Sequence, residues 1–267
     1  MTDQPRRMRI VHLAEAKAHR DPITMLTAYD AVSSRIFDEA GIDMLLIGDS
    51  IGMTMFGRET TIGVELDEII VATRAVARGV KRSLIVSDLP FGTYETGPAQ
   101  CLDSAVQLIK AGANAVKFEG GVAVAEQIKA CTDHGIPVVG HIGFTPQAEN
   151  ALSGPRVQGR TDDGADRLVE DAYAIQEAGA SAIVLELIPQ AVAERITKIL
   201  EIPTIGIGAG PHTDGQVLVW TDMAGIGDWR PSFAPAFGNV EGALRDAASS
   251  YIEAVKSRAF PTREHSF

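Results

Sequence analysis

Residues 102–121, LDSAVQLIKAGANAVKFEGG, carry the unit from which the fold is read. Leu102, Ala105, Val106 and Ile109 recur at the spacing of one helix face, predicting a helix that lays a single apolar stripe on a neighbour. Gly112 stands where that helix ends, since glycine tolerates the left-handed turn of a helix terminus. Residues 115–118 follow as a short, continuous apolar run, the pattern of a strand covered on both faces, as in a parallel sheet. Beyond it the chain reads Lys117-Phe118-Glu119-Gly120-Gly121, and Lys117 and Glu119, two apart, share one face of the strand.

The same unit recurs in both directions. Apolar runs stand at 23–27, 44–48, 83–87, 115–118, 138–141, 182–185, 204–207 and 216–219. Between two of them, Leu66, Ile69, Ile70, Val76 and Ala77 repeat the helical spacing. Gly41, Gly79, Gly112, Gly135 and Gly179 each stand between a helix pattern and the next strand. Repeated strand–helix units can form an open sheet or close into a barrel, and eight of them favour an α/β (β/α)8 TIM barrel. Residues 10–19 predict an extra N-terminal helix closing one end, and 243–258 the last long helix, ended by Pro261. The connection at 211–215 is too short for a full helix, and 143–161 is the one long internal loop. No linker or repeat array divides the chain, so a single catalytic domain over 1–267 is expected.

A formal charge of -11 disfavours nucleic acid and anionic membranes, whose binding relies on clustered Lys and Arg. Arg6, Arg7 and Arg9 are followed by no apolar core, so no secretory signal is expected, and no apolar run approaches the roughly 18 residues of a membrane span. A cytoplasmic location is the expectation. Cys101 and Cys131 lack metal-binding or redox spacing and read as buried reduced thiols.

In a barrel of this kind the active site forms at the carboxyl ends of the strands. The second, third and fourth runs deliver Asp49, Asp88 and Glu119 there, to one rim. Converging carboxylates repel unless a cation lies between them, and hard oxygen ligands select Mg²⁺ or a similar ion; the alternative is that one or more caps the following helix. Lys117 is either a cation for a substrate carboxylate or a salt-bridge partner of Glu119, and a Schiff-base role is also conceivable. His141 ends the fifth strand, as a site residue or a hydrogen-bonded core histidine. Glu186 ends the sixth among apolar neighbours, as a desolvated base or half of a buried ion pair. The loop 205–210, Ile-Gly-Ile-Gly-Ala-Gly, reads as a phosphate loop or simply as tight turns.

Taken in order, Thr27-Ala28-Tyr29-Asp30, Gly48-Asp49-Ser50, Asp88-Leu89-Pro90, Lys117-Phe118-Glu119-Gly120-Gly121, Gly140-His141-Ile142-Gly143-Phe144-Thr145-Pro146-Gln147 and Gly206-Ile207-Gly208-Ala209-Gly210 resemble the signature of the ketopantoate hydroxymethyltransferase family, over residues 22–227. The resemblance implies transfer of a one-carbon unit from 5,10-methylenetetrahydrofolate to 3-methyl-2-oxobutanoate, giving 2-dehydropantoate for pantothenate synthesis through a metal-stabilised enolate. It also implies Mg²⁺ and a homodecamer. By motif, Asp49, Asp88 and Glu119 surround the metal; Asp49, Ser50, Asp88 and Lys117 contact the oxo acid; Glu186 is the base and His141 a site neighbour. Leu187 stands where the family commonly has cysteine, and Phe144 where leucine is frequent. A lyase or mutase of the phosphoenolpyruvate type is the alternative enzyme, distinguished by folate dependence, and a ligand-binding barrel without turnover is the alternative class.

Overall fold

The computed structural model describes residues 7–267; Arg6, named above in the signal reading, lies outside them. The chain opens with α1 (Ile10–His19), the expected extra helix, and enters the sheet at β1 (Ile23–Thr27). The Asp30 side chain accepts hydrogen bonds from Val32 and Ser33 N–H and so starts α2 (Ala31–Ala40). Then come β2 (Met44–Ile47), a single turn α3 (Ile51–Thr54) and α4 (Leu66–Gly79), whose first turn is closed reciprocally by Glu65 and Glu68. The run β3 (Leu84–Asp88), α5 (Pro98–Ala111), β4 (Ala115–Glu119), α6 (Ala125–Asp133) and β5 (Val138–Gly143) repeats the unit. After β5 the chain makes a 3-10 turn at Pro146–Ala148 and a short α7 (Glu149–Leu152), so the stretch read as one long loop is partly helical. It continues through α8 (Asp162–Glu177), β6 (Ala182–Glu186), α9 (Gln190–Ile199), β7 (Thr204–Ile207) and β8 (Gly215–Leu218).

All eight strands are parallel, each pairs with the next, and β8 pairs with β1, so the sheet closes into the expected barrel. No helix separates β7 from β8. The Asp214 carboxylate instead accepts from Thr204 N–H and from Lys17 of α1, tying the short turn to both elements.

Side chains of alternate strand residues form the barrel interior. Met44 and Leu46, Leu84 and Val86, Ala115, Val139, Ala182 and Val184 pack into one buried cluster with Leu13 of α1. Continuing that alternation toward the strand ends gives Asp88, Lys117, Glu119, His141 and Glu186. The interior is thus apolar below and ionisable above, because the same face of each strand changes composition in its last residues.

Four of the five expected helix-ending glycines do adopt left-handed φ: Gly41, Gly112, Gly135 and Gly179. Gly79 does not. It is the last residue of α4, and a Cβ there would lie 2.5 Å from the Ala31 carbonyl oxygen, so its smallness serves close packing against α2. In the loop 205–210, Gly208 and Gly210 have left-handed φ, as the tight-turn reading requires. Cys101 and Cys131 are free and buried, with their Sγ atoms 3.7 Å apart.

The chain groups into two compact units, the first running to Leu218 with every strand, the second Val219–Phe267. The second contains α10 (Trp220–Ala224) and α11 (Val240–Lys256), which starts a few residues earlier than expected because the Asn239 side chain caps it by accepting from Gly242 N–H. Among the described residues no helix is long and apolar enough to cross a membrane.

Candidate active site

Strand register brings the ionisable residues together. Asp88 is the register partner of Lys117, Glu119 of His141, and Gly143 of Glu186. From one strand to the next these pairs carry a continuous polar chain. The Lys117 Nζ lies 2.8 Å from Asp88 Oδ1 and 3.3 Å from His141 Nδ1. The His141 ring in turn stands between two carboxylates, with Nδ1 3.4 Å from Glu119 Oε1 and Nε2 3.2 Å from Glu186 Oε2.

Asp49 and Ser50 join from the end of β2. Asp49 N–H donates to Asp88 Oδ2 at 3.0 Å, and its own carboxylate accepts from the Gln147 amide at 2.9 Å, so it caps no helix. Ser50 Oγ is 2.8 Å from the Tyr29 hydroxyl. A Cβ on Gly48 would stand 2.8 Å from Ser50 Oγ and 3.5 Å from Asp88 Oδ2, so both polar atoms close over that glycine. Every sequence-predicted site residue therefore lies in one region. Lys117 pairs with Asp88 on the neighbouring strand; the salt bridge to Glu119 is not the one formed, because side chains two apart on a strand sit farther apart than register partners.

Asp49, Asp88, Lys117, Glu119 and His141 are between 1% and 6% exposed, whereas the Glu186 side chain is 17% exposed. Of these six residues, Glu186 is the one that solvent or a substrate reaches most directly. Apolar surroundings alone do not describe it: His141 shares its carboxylate.

Burial raises the Asp49 carboxyl well above its ordinary range, and the charges of Asp88 and Glu119 raise it further. Asp88 is also raised by burial, although Lys117 opposes the shift. Glu119 goes the other way: burial works against its charge, but His141, Lys117 and the Gln147 N–H hold it below the usual value. Burial likewise opposes charging Lys117, yet Asp88, Glu119 and Asp49 keep it protonated above the ordinary lysine range. For His141, burial and Lys117 favour the neutral ring, but contacts with Glu119 and Glu186 prevail and its pKa is pushed up to about 9. The ring thus stands between two carboxylates that favour its charged form and an ammonium that opposes it.

Three further residues complete the site without having been singled out in the sequence. Tyr29 holds Ser50, Gln147 holds Asp49 and Glu119, and Tyr94 holds Gln147 through a 2.6 Å hydrogen bond. Among the described residues, no three His, Cys, Asp or Glu side chains already form one metal-binding set. Asp88 Oδ1 meets the Lys117 ammonium at 2.8 Å, whereas Glu119 Oε1 and His141 Nε2 are buried without an aligned hydrogen bond.

Gly143 decides how closely β5 approaches Glu186. Its φ is +99°, and an added Cβ would fall 2.1 Å from the Glu186 carbonyl oxygen. That oxygen accepts from Phe144 N–H at 2.8 Å, so the glycine and the bond together hold the backbone from which the Glu186 side chain projects. Leu187, next in the chain, is held at φ 46° with its N–H on Ile207 O and its carbonyl on Gln158 N–H.

A family model for ketopantoate hydroxymethyltransferase matches residues 7–263. The 3-methyl-2-oxobutanoate hydroxymethyltransferase of Leifsonia xyli subsp. xyli is 53% identical, over 98% of this chain and 95% of that protein. The protein of the same name from Thermobifida fusca is 51% identical, over 98% of this chain and 94% of its own length. Among solved structures, phosphonopyruvate hydrolase in complex with oxalate and Mg²⁺ superposes with a TM-score of 0.63 at 14% identity, covering 97% of this chain and 93% of that one. Phosphoenolpyruvate phosphomutase from Streptomyces platensis subsp. rosaceus gives 0.64 at 13%, covering 93% and 88%. These two share the fold alone. Identity above half across nearly the whole length, on a barrel whose rim gathers the motif residues, makes the chain an enzyme belonging to the ketopantoate hydroxymethyltransferase family.

Proposed function

We propose that this enzyme transfers the one-carbon unit of 5,10-methylenetetrahydrofolate to 3-methyl-2-oxobutanoate, giving 2-dehydropantoate and tetrahydrofolate, with Mg²⁺ as cofactor. In balance, C3 of the oxo acid loses a proton and bonds to the methylene carbon, that carbon's bonds to folate nitrogen break, and water supplies the new hydroxyl. The observation that carries the reading is the arrangement of Glu186, partly exposed and with its Oε2 3.2 Å from His141 Nε2, at the strand ends that also hold Lys117 and the buried Asp49, Asp88 and Glu119.

The residues fit a divalent cation on charge. The carboxyl groups of Asp49, Asp88, Glu119 and Glu186 converge beside Lys117 and His141, and a cation among them would relieve the burial and mutual repulsion that raise Asp49. Glu119 Oε1 also retains acceptor capacity that no aligned donor fills, and a set of carboxylate oxygens suits Mg²⁺. Asp49, Asp88 and Glu119 would hold the ion, which when bound supplies positive charge to oxygens of the oxo acid.

The remaining tasks fall to the chain itself. Asp49, Ser50, Asp88 and Lys117 bind the oxo acid, with the Lys117 ammonium placed for its carboxylate. Glu186 removes the C3 proton, and His141 orients the Glu186 carboxylate through Nε2 while its other nitrogen faces Glu119. We also infer a homo-oligomer, a decamer by resemblance; α11 carries Val240, Leu244, Tyr251, Ile252 and Val255 at helical spacing, an apolar stripe its own unit leaves uncovered. The test of the reaction is product formation from 3-methyl-2-oxobutanoate, methylenetetrahydrofolate and Mg²⁺, omitting each in turn. Each omission should abolish 2-dehydropantoate; product without folate, or cleavage of a phosphonate or oxo acid instead, would reject this function.

A further inference from the structure

Gln147 is fully committed in its hydrogen bonding. Its amide nitrogen donates to Asp49 Oδ2 at 2.9 Å and to the Leu89 carbonyl at 3.0 Å, and its amide oxygen accepts from the Tyr94 hydroxyl at 2.6 Å. Its main-chain N–H donates to Glu119 Oε2 at 3.0 Å. One buried residue therefore touches two of the three proposed metal-holding carboxylates, one by its side chain and the other by its backbone.

The amide can stand only one way round. Turned over, its oxygen would face the Asp49 carboxylate and the Leu89 carbonyl, two acceptors, so the NH₂ end must point there. Tyr94 reinforces that choice by donating to the oxygen end, and the Tyr94 ring is itself fixed, 5.2 Å from the Phe118 ring. The residues come from the ends of four consecutive strands: Asp49 after β2, Leu89 and Tyr94 after β3, Glu119 on β4, and Gln147 in the 3-10 turn after β5.

We propose that Gln147, oriented by Tyr94, is a positioning residue that holds Asp49 and Glu119 in place for a divalent cation. The proposal rests on the Mg²⁺ reading given above. The amide suits this task because it is neutral. A lysine at the same place would bring a charge to Asp49 and compete with the metal, whereas the side-chain amide bonds Asp49 Oδ2, the main-chain N–H bonds Glu119 Oε2, and the other oxygen of each is left outside the clamp. The two side chains are thereby fixed while each keeps an oxygen for the metal.

The experiment is titration of the metal-free full-length protein with Mg²⁺ by calorimetry and with Mn²⁺ by electron paramagnetic resonance, without substrate. Wild type is compared with Gln147→Met, Tyr94→Phe and the double variant, and the melting temperature of each metal-free protein is recorded alongside. Gln147→Met should weaken metal binding by about 10- to 100-fold, the scale seen when partners of metal ligands are removed. Tyr94→Phe, which keeps the ring packing, should cost about 3- to 10-fold, and the double variant should bind no more weakly than Gln147→Met alone. In turnover, Gln147→Met should raise the Mg²⁺ concentration needed for half-maximal rate, with much of kcat recovered at saturating Mg²⁺. Unchanged metal affinity in Gln147→Met, even with a lowered melting temperature, would reduce Gln147 to a structural residue and overturn the proposal. Additive losses in the double variant would overturn the role given to Tyr94. Should Gln147→Met fail to fold, Tyr94→Phe decides: unchanged affinity there overturns the clamp. No saturable binding by wild type would instead reject the Mg²⁺ reading and the proposal with it, a result distinguishable from the others.

Discussion

Replacing Lys117 by methionine removes the ammonium while keeping an unbranched stem in the same interior space. In the native protein Lys117 Nζ is 2.8 Å from Asp88 Oδ1, and both side chains are almost wholly buried. Breaking such a pair by deleting one partner costs about 3–5 kcal/mol, because the surviving charge is left uncompensated in a poor dielectric. Set against a typical total of about 5–15 kcal/mol, the variant should fold but be markedly weakened. The deficit should also depend on pH in a definite direction. Asp88 is already raised by burial and partly restored by Lys117, so losing Lys117 raises its folded pKa further. A carboxyl raised in the folded state costs stability that is absent below its unfolded pKa and grows as pH rises toward the folded value. The gap between wild type and Lys117→Met should therefore be widest near pH 8 and narrow as pH falls through the variant's Asp88 pKa. Urea unfolding at several pH values, with the slope checked for constancy, measures it. Binding of 3-methyl-2-oxobutanoate should weaken by about 10- to 150-fold, the equivalent of one charge-assisted hydrogen bond of roughly 1.5–3 kcal/mol. A stability loss below about 1 kcal/mol, a gap that widens in acid, or unchanged oxo-acid affinity would refute the reasoning.

Gly143→Ala places a methyl group where the Glu186 carbonyl oxygen stands, at a left-handed φ, so the Glu186 backbone must move; kcat should fall by about 100-fold with oxo-acid binding little changed, as expected for a base displaced on the scale of an ångström. Exhaustive chelation should abolish turnover and Mg²⁺ restore it. Because Asp49 is raised in the metal-free protein, Mg²⁺ binding should release protons, seen as a dependence of the calorimetric heat on buffer ionisation enthalpy; full activity without metal, or no proton release, would count against the site.

The barrel was legible because its strands are short apolar runs separated by helix-spaced stripes, and all eight runs became strands with edges shifted by a residue or so. Where the reading missed, the cause was tertiary. Nothing local distinguishes Gly79, which is required by the approach of Ala31, from Gly112, which is required by its own φ. The ionisable residues at the strand ends were legible for the same reason as the strands: alternation places Asp88, Lys117, Glu119, His141 and Glu186 on the inward face above the apolar layers. Their partners were not. Gln147 meets Asp49 across 98 positions of sequence and Tyr94 meets Gln147 across 53, through loops whose geometry no periodicity encodes. The available signal was that Gln147 follows Pro146 just beyond the fifth strand, inside a stretch quoted for its family resemblance. Nor does the sequence show that Glu119 and Glu186 stand on opposite sides of the His141 ring.

The central claim is that Glu186 removes the C3 proton of the oxo acid, and hydrogen exchange isolates that step from everything folate does. Wild type incubated with 3-methyl-2-oxobutanoate and Mg²⁺ in D₂O, without folate, should replace the C3 hydrogen with deuterium, followed by proton magnetic resonance. Glu186→Gln should bind the oxo acid and Mg²⁺ with affinities near those of wild type and exchange about 100- to 10,000-fold more slowly, the usual contribution of a positioned base. Exchange at the wild-type rate in a variant that binds normally would contradict the account and pass the role of base to another group at the site.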